Sequence, residues 1–272
     1  MITASLILFH NKAEDINKVI SSVLKSCIDL LYVIDHSQDD SLRVLIPNTT
    51  RIRYTHTNND GYGSGHNLGF RLSQEVVRSD YHVVLNPDVY FEPEAVARLA
   101  SFMDKNPQAG MVMPKVFYPN GDFQYLCKLL PTPCDIFFRQ FAPTKIKEKN
   151  NRRYVMMNAD YEKVMIVPSL SGCFMFLRSE VFKKIGGFDT RYFMHFEDID
   201  LTRRIGDMSE TYYLPETSIV HAHEAAHKQS KKMLMIGLKS AVKYFNKWGW
   251  FFDCTRRQRN KKAIMDYCKG SE

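Results

Sequence analysis

Short apolar runs alternate with amphipathic segments through the first half of the chain. Ser5–Phe9, Leu31–Ile34, Arg51–Thr55 and Tyr81–Leu85 have the length and composition of strands. Between the first two, Asn11 stands three residues ahead of Glu14 in a capping arrangement. Ile16, Val19, Ile20, Val23 and Leu24 follow at helical spacing. Turn formers fill Asn58–Gly65 and lead into a helix expected at about Asn67–Arg78. Pro93 opens another helix, with Val96, Leu99, Phe102 and Met103 on one face. Strands separated by helical crossovers dictate an α/β fold with a mostly parallel sheet and right-handed connections. Such sheets bind ligands at the carboxyl ends of their strands. Asp35, the glycine run 61–65 and Asn86-Pro87-Asp88 all fall at strand ends or helix starts.

The second half is less regular. Residues 119–160 mix Pro, aromatic and basic residues and are expected to form a mobile insertion. Val164–Val167 and Cys173–Leu177 read as buried strands, and Glu180–Ile185 as a short helix closed by Gly186-Gly187. Phe193–Phe196 runs into Glu197-Asp198-Ile199-Asp200-Leu201, a helix start with acids in its first turn. Lys228–Trp250 is a long helix candidate.

Composition narrows the class. The chain is 44% hydrophobic and 25% charged, which excludes collagen-like and disordered proteins. Its net charge of +7 is unevenly placed: residues 228–262 hold eleven Lys/Arg against a single acid, Asp253. The rest of the chain is net negative, so nucleic acid is not an expected partner. The longest uncharged stretch, Val164–Leu177, is 14 residues, short of the roughly 18 a spanning helix needs. The N-terminus has no basic flank or small-residue cleavage pattern and reads as a strand. The six Cys form no CxxC pair, as expected of reduced thiols in a cytoplasmic protein.

Several residues could carry chemistry. Asn86-Pro87-Asp88 is a turn by composition, and a lone carboxylate at a strand end can hold a hard divalent cation that bridges phosphate oxygens. Gly61, Gly63, Gly65 and Gly69 would let backbone approach a phosphate or sugar. Gly63-x-Gly65 only faintly mimics a dinucleotide fingerprint: it does not follow the first strand, and no acid closes a second strand about 20 residues on. Glu197, Asp198 and Asp200 are either helix-dipole partners or, flanked by Tyr192, Phe193 and Phe196, include an acid able to act as general base. His221, His223 and His227 invite a zinc reading, but no Cys partner is near and the segment is basic. One of these imidazoles completing a metal site with Asp88 fits better.

Taken together, Asp35 after a strand, Asn59-Asp60-Gly61-Tyr62-Gly63-Ser64-Gly65-His66-Asn67-Leu68-Gly69, Leu85-Asn86-Pro87-Asp88-Val89, Ser171–Leu177, Gly186-Gly187-Phe188-Asp189 and Phe196–Leu201 resemble family 2 glycosyltransferases of the GT-A fold. The bacterial rhamnosyltransferase-like branch is the nearest in pattern, and Tyr244–Asp253 is similar to that branch too. The resemblance implies a Rossmann-like single domain at 1–225, with a nucleotide-sugar-binding half at 1–118 and an acceptor-binding half at 119–225, followed by a basic, aromatic helical tail at 226–272. It implies inverting sugar transfer with Asp198 as catalytic base. Asp35, Asn67, Asn86 and Asp88 would bind the donor, and Ser171, Gly172, Glu197 and Asp200 the acceptor. Asp88 and His221 would hold Mg2+ or Mn2+, with Asn86 standing where the family commonly has a second Asp. The implied donor is deoxythymidine-diphosphate rhamnose, or else a uridine-diphosphate sugar. The implied acceptor is a saccharide or lipid-linked saccharide of bacterial cell-surface polysaccharide synthesis.

Two other classes stay open on sequence. A nucleotidyltransferase would carry a Gly-rich, basic loop directly after the first strand, and Phe9-His10-Asn11-Lys12 is not that. An inactive nucleotide-sugar-binding protein of the same fold would release no nucleoside diphosphate. The tail, with Trp248, Trp250, Phe251 and Phe252 among its cations, is expected to dock on the anionic inner face of the cell membrane. Its alternative is to pack Leu234, Leu238, Val242 and Phe245 inward.

Overall fold

A computed structural model describes residues 1–222 and 231–267, without the side chains of Gln140 and Phe141. The chain enters as β1 (Ile2–Leu8), buried throughout, and turns into α1 (Ala13–Lys25), whose Ile16, Val19, Ile20 and Val23 are buried. β2 (Leu30–Asp35) and β3 (Ile52–His56) follow, joined through a 3-10 turn at Ser41–Leu45. Next come α2 (Tyr62–Val76), β4 (Tyr81–Leu85), the short β5 (Val89–Phe91), α3 (Glu94–Lys105) and the long β6 (Ala109–Phe117). The middle of the chain forms β7 (Cys127–Lys128), α4 (Pro133–Phe141), α5 (Thr144–Tyr154), β8 (Met165–Ile166), β9 (Ser169–Leu170) and β10 (Phe174–Arg178). The remainder is α6 (Ser179–Lys184), α7 (Glu197–Ile205), β11 (Glu210–His221), α8 (Lys231–Trp248) and α9 (Cys254–Tyr267).

Nine strands make one sheet in the order β3-β2-β1-β4-β10-β6-β11-β5, with β8 added on β11. β3, β2, β1 and β4 are mutually parallel, as the alternation of strands and helices predicts. β10 inserts antiparallel between β4 and β6, and β6 and β11 then run parallel again. β7 and β9 form a separate antiparallel pair. On one face of the sheet α1 lies against β5 and α3 against β6 and β11, and their Ile16, Val19, Val96 and Leu99 join one buried core with residues of β1, β2 and β4. Residues of α2, α6, α7 and α9 (Phe70, Phe182, Leu201, Ala263) cover the other face, packed on Met111, Met113 and Met175.

Asn11 and Glu14 form no cap, since Lys12 stands at the N-cap of α1 without a side-chain bond and Asn11 accepts from Phe9 N–H instead, and three larger expectations change. First, α2 begins at Tyr62, so the glycine run is its first turn and not a loop before it. The glycines are there for close packing: a Cβ on Gly63 would lie 2.7 Å from Phe188 Cβ, and one on Gly65 2.7 Å from Ile7 Cδ1. Second, the insertion is not a loose segment but folds into α4 and α5. Thr132 and Asp135 form a reciprocal capping box at the start of α4, and Leu129, Leu130, Tyr154 and Met156 are buried. Third, the tail is two helices packed on the rest of the chain. Ser240, Ala241, Tyr244 and Phe245 form the buried stripe of α8, while Val242 is exposed. No helix among the described residues is long and apolar enough to cross a membrane. His223, His227 and the start of the expected tail helix at Lys228 lie outside the described residues.

Candidate active site

β4 ends at Leu85 and turns through Asn86-Pro87-Asp88 into β5. The Asn86 N–H donates to Cys173 O at 2.9 Å, which sets the turn against the start of β10. β5 pairs with the end of β11 in a register that puts His221 opposite Val89. That pairing brings His221 Nε2 to 3.4 Å from Asp88 Oδ2. The buried Gln124 fixes the other side of the ring. Its amide nitrogen donates to His221 O at 2.6 Å and Phe117 O at 3.3 Å, so its Oε1, 3.0 Å from His221 Nδ1, is the acceptor. Nδ1 therefore carries a hydrogen and Nε2 is aimed at Asp88. Burial alone would push this imidazole down, but Cys173 and Asp88 outweigh it and raise it to about 10. Asp15, in the first turn of α1, is raised by burial and next by the charge of Asp88. This corner attracts positive charge. One carboxylate and one anchored imidazole suit a Mg2+ or Mn2+ that takes its other ligands from diphosphate and water. Among the described residues no three His, Cys, Asp or Glu cluster to cage a cation unaided.

The acids of α7 approach the same turn. His195 and Phe196 precede the helix with φ of 66° and 68°, a conformation non-glycine residues adopt at a cost and retain mainly at functional sites. Asp198 Oδ2 accepts the Gly172 N–H at 3.2 Å. A Cβ on Gly172 would lie 3.3 Å from the Asp198 Cβ. The Tyr62 hydroxyl, from the first turn of α2, lies 2.7 Å from Gly172 O and 3.0 Å from Asn86 Oδ1. Burial pushes that phenol well up, so it stays a donor. A chain Asn86–Tyr62–Gly172–Asp198 thus joins the turn to the acid. Glu197 is buried, its Oε2 has no hydrogen-bond partner, and burial followed by Asp198's charge pushes its carboxyl up to about 8. Glu197 therefore holds its proton well above the usual carboxylate range beside Asp198. Ser171 is partly exposed next to Gly172.

Asp35 closes β2 as expected, yet it is fully buried. Its Oδ1 accepts the Ser37 N–H at 2.9 Å and its Oδ2 the Tyr54 hydroxyl at 2.7 Å. It shapes the rim without facing it. The rim itself is an open pocket lined by His36, Thr57, Asn58, Asp60, Ser64 and Arg71, and it includes neither Asp88 nor Asp198. Asn67 borders this pocket, but its amide is spent on Phe188, donating to its O and accepting its N–H, both at 2.8 Å. Asn86 likewise turns its oxygen to Tyr62.

Asp200 corrects an expectation most clearly. It has no accessible surface for an acceptor, and its carboxylate takes Arg204 Nε at 2.7 Å, Lys247 Nζ at 2.6 Å and Trp248 Nε1 at 2.8 Å. Lys247 also reaches Asp189 at 2.8 Å. So Trp248, expected at a lipid surface, is an inward anchor of α8 on α7. Sequence reasoning missed Tyr62, Gln124 and Lys247. Tyr62 sits inside the quoted glycine motif and Lys247 inside Tyr244–Asp253, so a signal existed for both; Gln124 carries none.

Residues 6–186 match the family described as glycosyl transferase family 2. The chain is 25% identical over 233 residues to the N-acetylglucosaminyl-diphospho-decaprenol L-rhamnosyltransferase of Mycobacterium tuberculosis, covering 75% of this chain and 73% of that one. It is 25% identical over 191 residues to rhamnosyltransferase WbbL of Escherichia coli K12, covering 68% and 69%. Among solved structures it is similar in fold to GalNAc-T7 crystallised with UDP, GalNAc and Mn2+, at a TM-score of 0.66 and 12% identity. That match covers 91% of this chain and spans about half, 48%, of the solved one.

Proposed function

The chain belongs to glycosyl transferase family 2, and from that premise we propose that it moves a sugar, rhamnose by the names of its relatives, from a nucleoside diphosphate donor to a saccharide or lipid-linked saccharide, with inversion. Asp198 removes the proton from an acceptor hydroxyl as that oxygen bonds to the anomeric carbon. The bond from that carbon to the diphosphate oxygen breaks on the opposite face. Gly172 N–H holds the carboxylate for this, and a neutral Glu197 spares it a like charge alongside. Base catalysis of this kind is worth roughly 10²–10⁴-fold. Asp88 and His221 Nε2 would hold Mg2+ or Mn2+, which would supply Lewis-acid neutralisation of negative charge on the diphosphate. The nucleoside lies at the rim by His36, Thr57 and Asn58, at the carboxyl ends of β2 and β3. Relatives named for a diphospho-decaprenol acceptor support a lipid-linked acceptor.

The observation that carries the reading is the Tyr62 hydroxyl, which touches both the Asn86 turn and the Gly172 peptide holding Asp198. Donor phosphate and base belong to one cleft. Replacing Asp198 by Asn keeps the shape and removes the proton acceptor. The expected outcome is at least a 10²-fold loss of transfer with nucleoside diphosphate binding intact. More than about a tenth of wild-type rate would reject the assignment. Stabilisation by thymidine, uridine or guanosine diphosphate with Mn2+ identifies the donor base, since ligand at 100 times its Kd adds about 2.7 kcal/mol.

A further inference from the structure

We propose that the corner between α8 and α9 is a membrane anchor, in which Phe251 and Phe252, steadied by Trp250, enter the interface of an anionic bilayer. The inference rests on the lipid-linked acceptor reading above. Trp250, Phe251 and Phe252 are 39%, 71% and 93% exposed, three consecutive aromatics at one turn. Their neighbours show that this exposure is held in place. Gly249 turns the chain at φ 100°, where a Cβ would lie 2.7 Å from Phe252 O. The buried Arg256 guanidinium donates to Gly249 O at 3.2 Å and to Trp250 O at 3.0 Å. Asp253 accepts the Arg256 N–H at 2.9 Å and pairs with Arg203 at 2.7 and 2.8 Å, both of these side chains buried. The Trp250 ring lies tilted against Phe245, centroids 5.2 Å apart, and its Nε1–H donates to Asn246 Oδ1. The corner is clamped from beneath while Phe251 and Phe252 project. A contiguous apolar knuckle in a fixed frame is a contact surface.

Charge selects the occupant. Lys239, Lys243, Arg257, Lys261 and Lys262 are exposed on the two helices that meet at the corner, with Lys239 and Lys243, and Arg257 and Lys261, one turn apart, Lys243 also donating to Arg191 O. A second copy of this chain would bring like charge against like. An anionic headgroup layer complements it, and aromatics beside Lys and Arg are what a surface-lying, non-spanning anchor uses. Trp248 takes no part, since its indole is bonded to Asp200.

The full chain is sedimented with vesicles of phosphatidylcholine and phosphatidylglycerol (3:1) and of phosphatidylcholine alone, at low and high salt. The expected result is binding to the anionic vesicles that weakens with salt, and at least a tenfold weaker partition for F251A/F252A at an unchanged Tm. K261E/K262E, which leaves the corner intact, should also weaken binding. The proposal fails if the wild type ignores anionic vesicles at low salt, or if F251A/F252A binds as well as the wild type. It fails too if F251A/F252A merely dissociates a dimer in vesicle-free buffer, which would make the knuckle a copy-to-copy contact. Stabilisation by nucleoside diphosphate with Mn2+, measured without vesicles, tests the transferase reading separately.

Discussion

Glu197 sits in the cleft as a buried carboxyl whose Oε2 has no partner. Burial first and then the charge of Asp198 raise its pKa, with its own backbone and Lys128 partly opposing, so the folded value is about 8 against 4.5 in the open chain. As pH rises from about 4.5 to about 8, the unfolded chain gives up a proton that the folded chain keeps. Stability is therefore greatest below that window and declines across it, by on the order of a few kcal/mol. Glutamine is neutral at every pH. The Tm of Glu197→Gln should gain on the wild type as pH rises from 5 to 8 and then level off. A difference independent of pH would mean that Glu197 is already ionised in the fold. Gln124 acts at a distance from the chemistry in another way. With both amide hydrogens on carbonyls it can only accept from His221 Nδ1, which keeps Nε2 aimed at Asp88. Gln124→Leu loses that constraint. Mn2+ affinity in the presence of nucleoside diphosphate, read by electron paramagnetic resonance, should fall about 10–100-fold, with nucleotide affinity in chelator unchanged. Equal losses in both conditions would reduce Gln124 to a turn residue.

Helix α2 shows how an element can be legible in outline and misread in purpose. Its glycines suggested a phosphate-binding loop, yet three of them, Gly63, Gly65 and Gly69, sit within a helix laid close on β1 and β2. Gly69→Ala separates the two readings. Alanine gains about 1 kcal/mol of helix propensity. Its Cβ, however, would stand 2.7 Å from Ser5 Cβ, and Ser5 is held by His66 and His82 at 2.7 and 2.9 Å. Overpacking of this kind costs about 1–3 kcal/mol. The expected sign is a net loss in urea unfolding, and a neutral or stabilised variant would show that α2 can lift from the sheet. Periodicity sufficed for β1, α1, β2, β4, α3 and α7, because each is written in neighbouring residues. The insertion of β10 antiparallel between β4 and β6 is a matter of sheet order, on which local pattern is silent. The same holds for the site: Asp88, Asp198 and His221 were legible as motifs. The Tyr62–Gly172 and Gln124–His221 contacts span 110 and 97 residues of chain.

The charge asymmetry of the chain, with its net positive charge gathered from residue 228 on, makes the tail look like an appendage, and its packing argues that it folds with the rest. Tyr244 and Phe245 of α8 share a core with Tyr192, Phe196 and Ile199, the residues that lead into and begin α7, and with Leu130 of the insertion. Asn260 of α9 bonds both the N–H and the O of Leu130, each at 2.8 Å, and the Tyr267 hydroxyl accepts the Ile166 N–H at 3.1 Å. Arg203 of α7 has its buried partner, Asp253, in the α8–α9 corner. A chain ending at residue 222 would strip Arg203 of Asp253, Tyr244 and Trp248 and open it to water. Each large side chain that loses its cluster, Tyr192, Phe196, Ile199 and Leu130 among them, forfeits about 1.5–3 kcal/mol. Together these match the 5–15 kcal/mol that holds a typical domain. The truncated chain is therefore expected to lose its cooperative melt and to lose donor hydrolysis and transfer even to a soluble acceptor, where membrane docking is irrelevant. Circular dichroism melting and nucleoside diphosphate release decide it. A truncated chain that melts cooperatively and still releases nucleoside diphosphate would mean that α8 and α9 are a detachable anchor, and that α7 keeps Asp198 in place without Lys247 and Trp248.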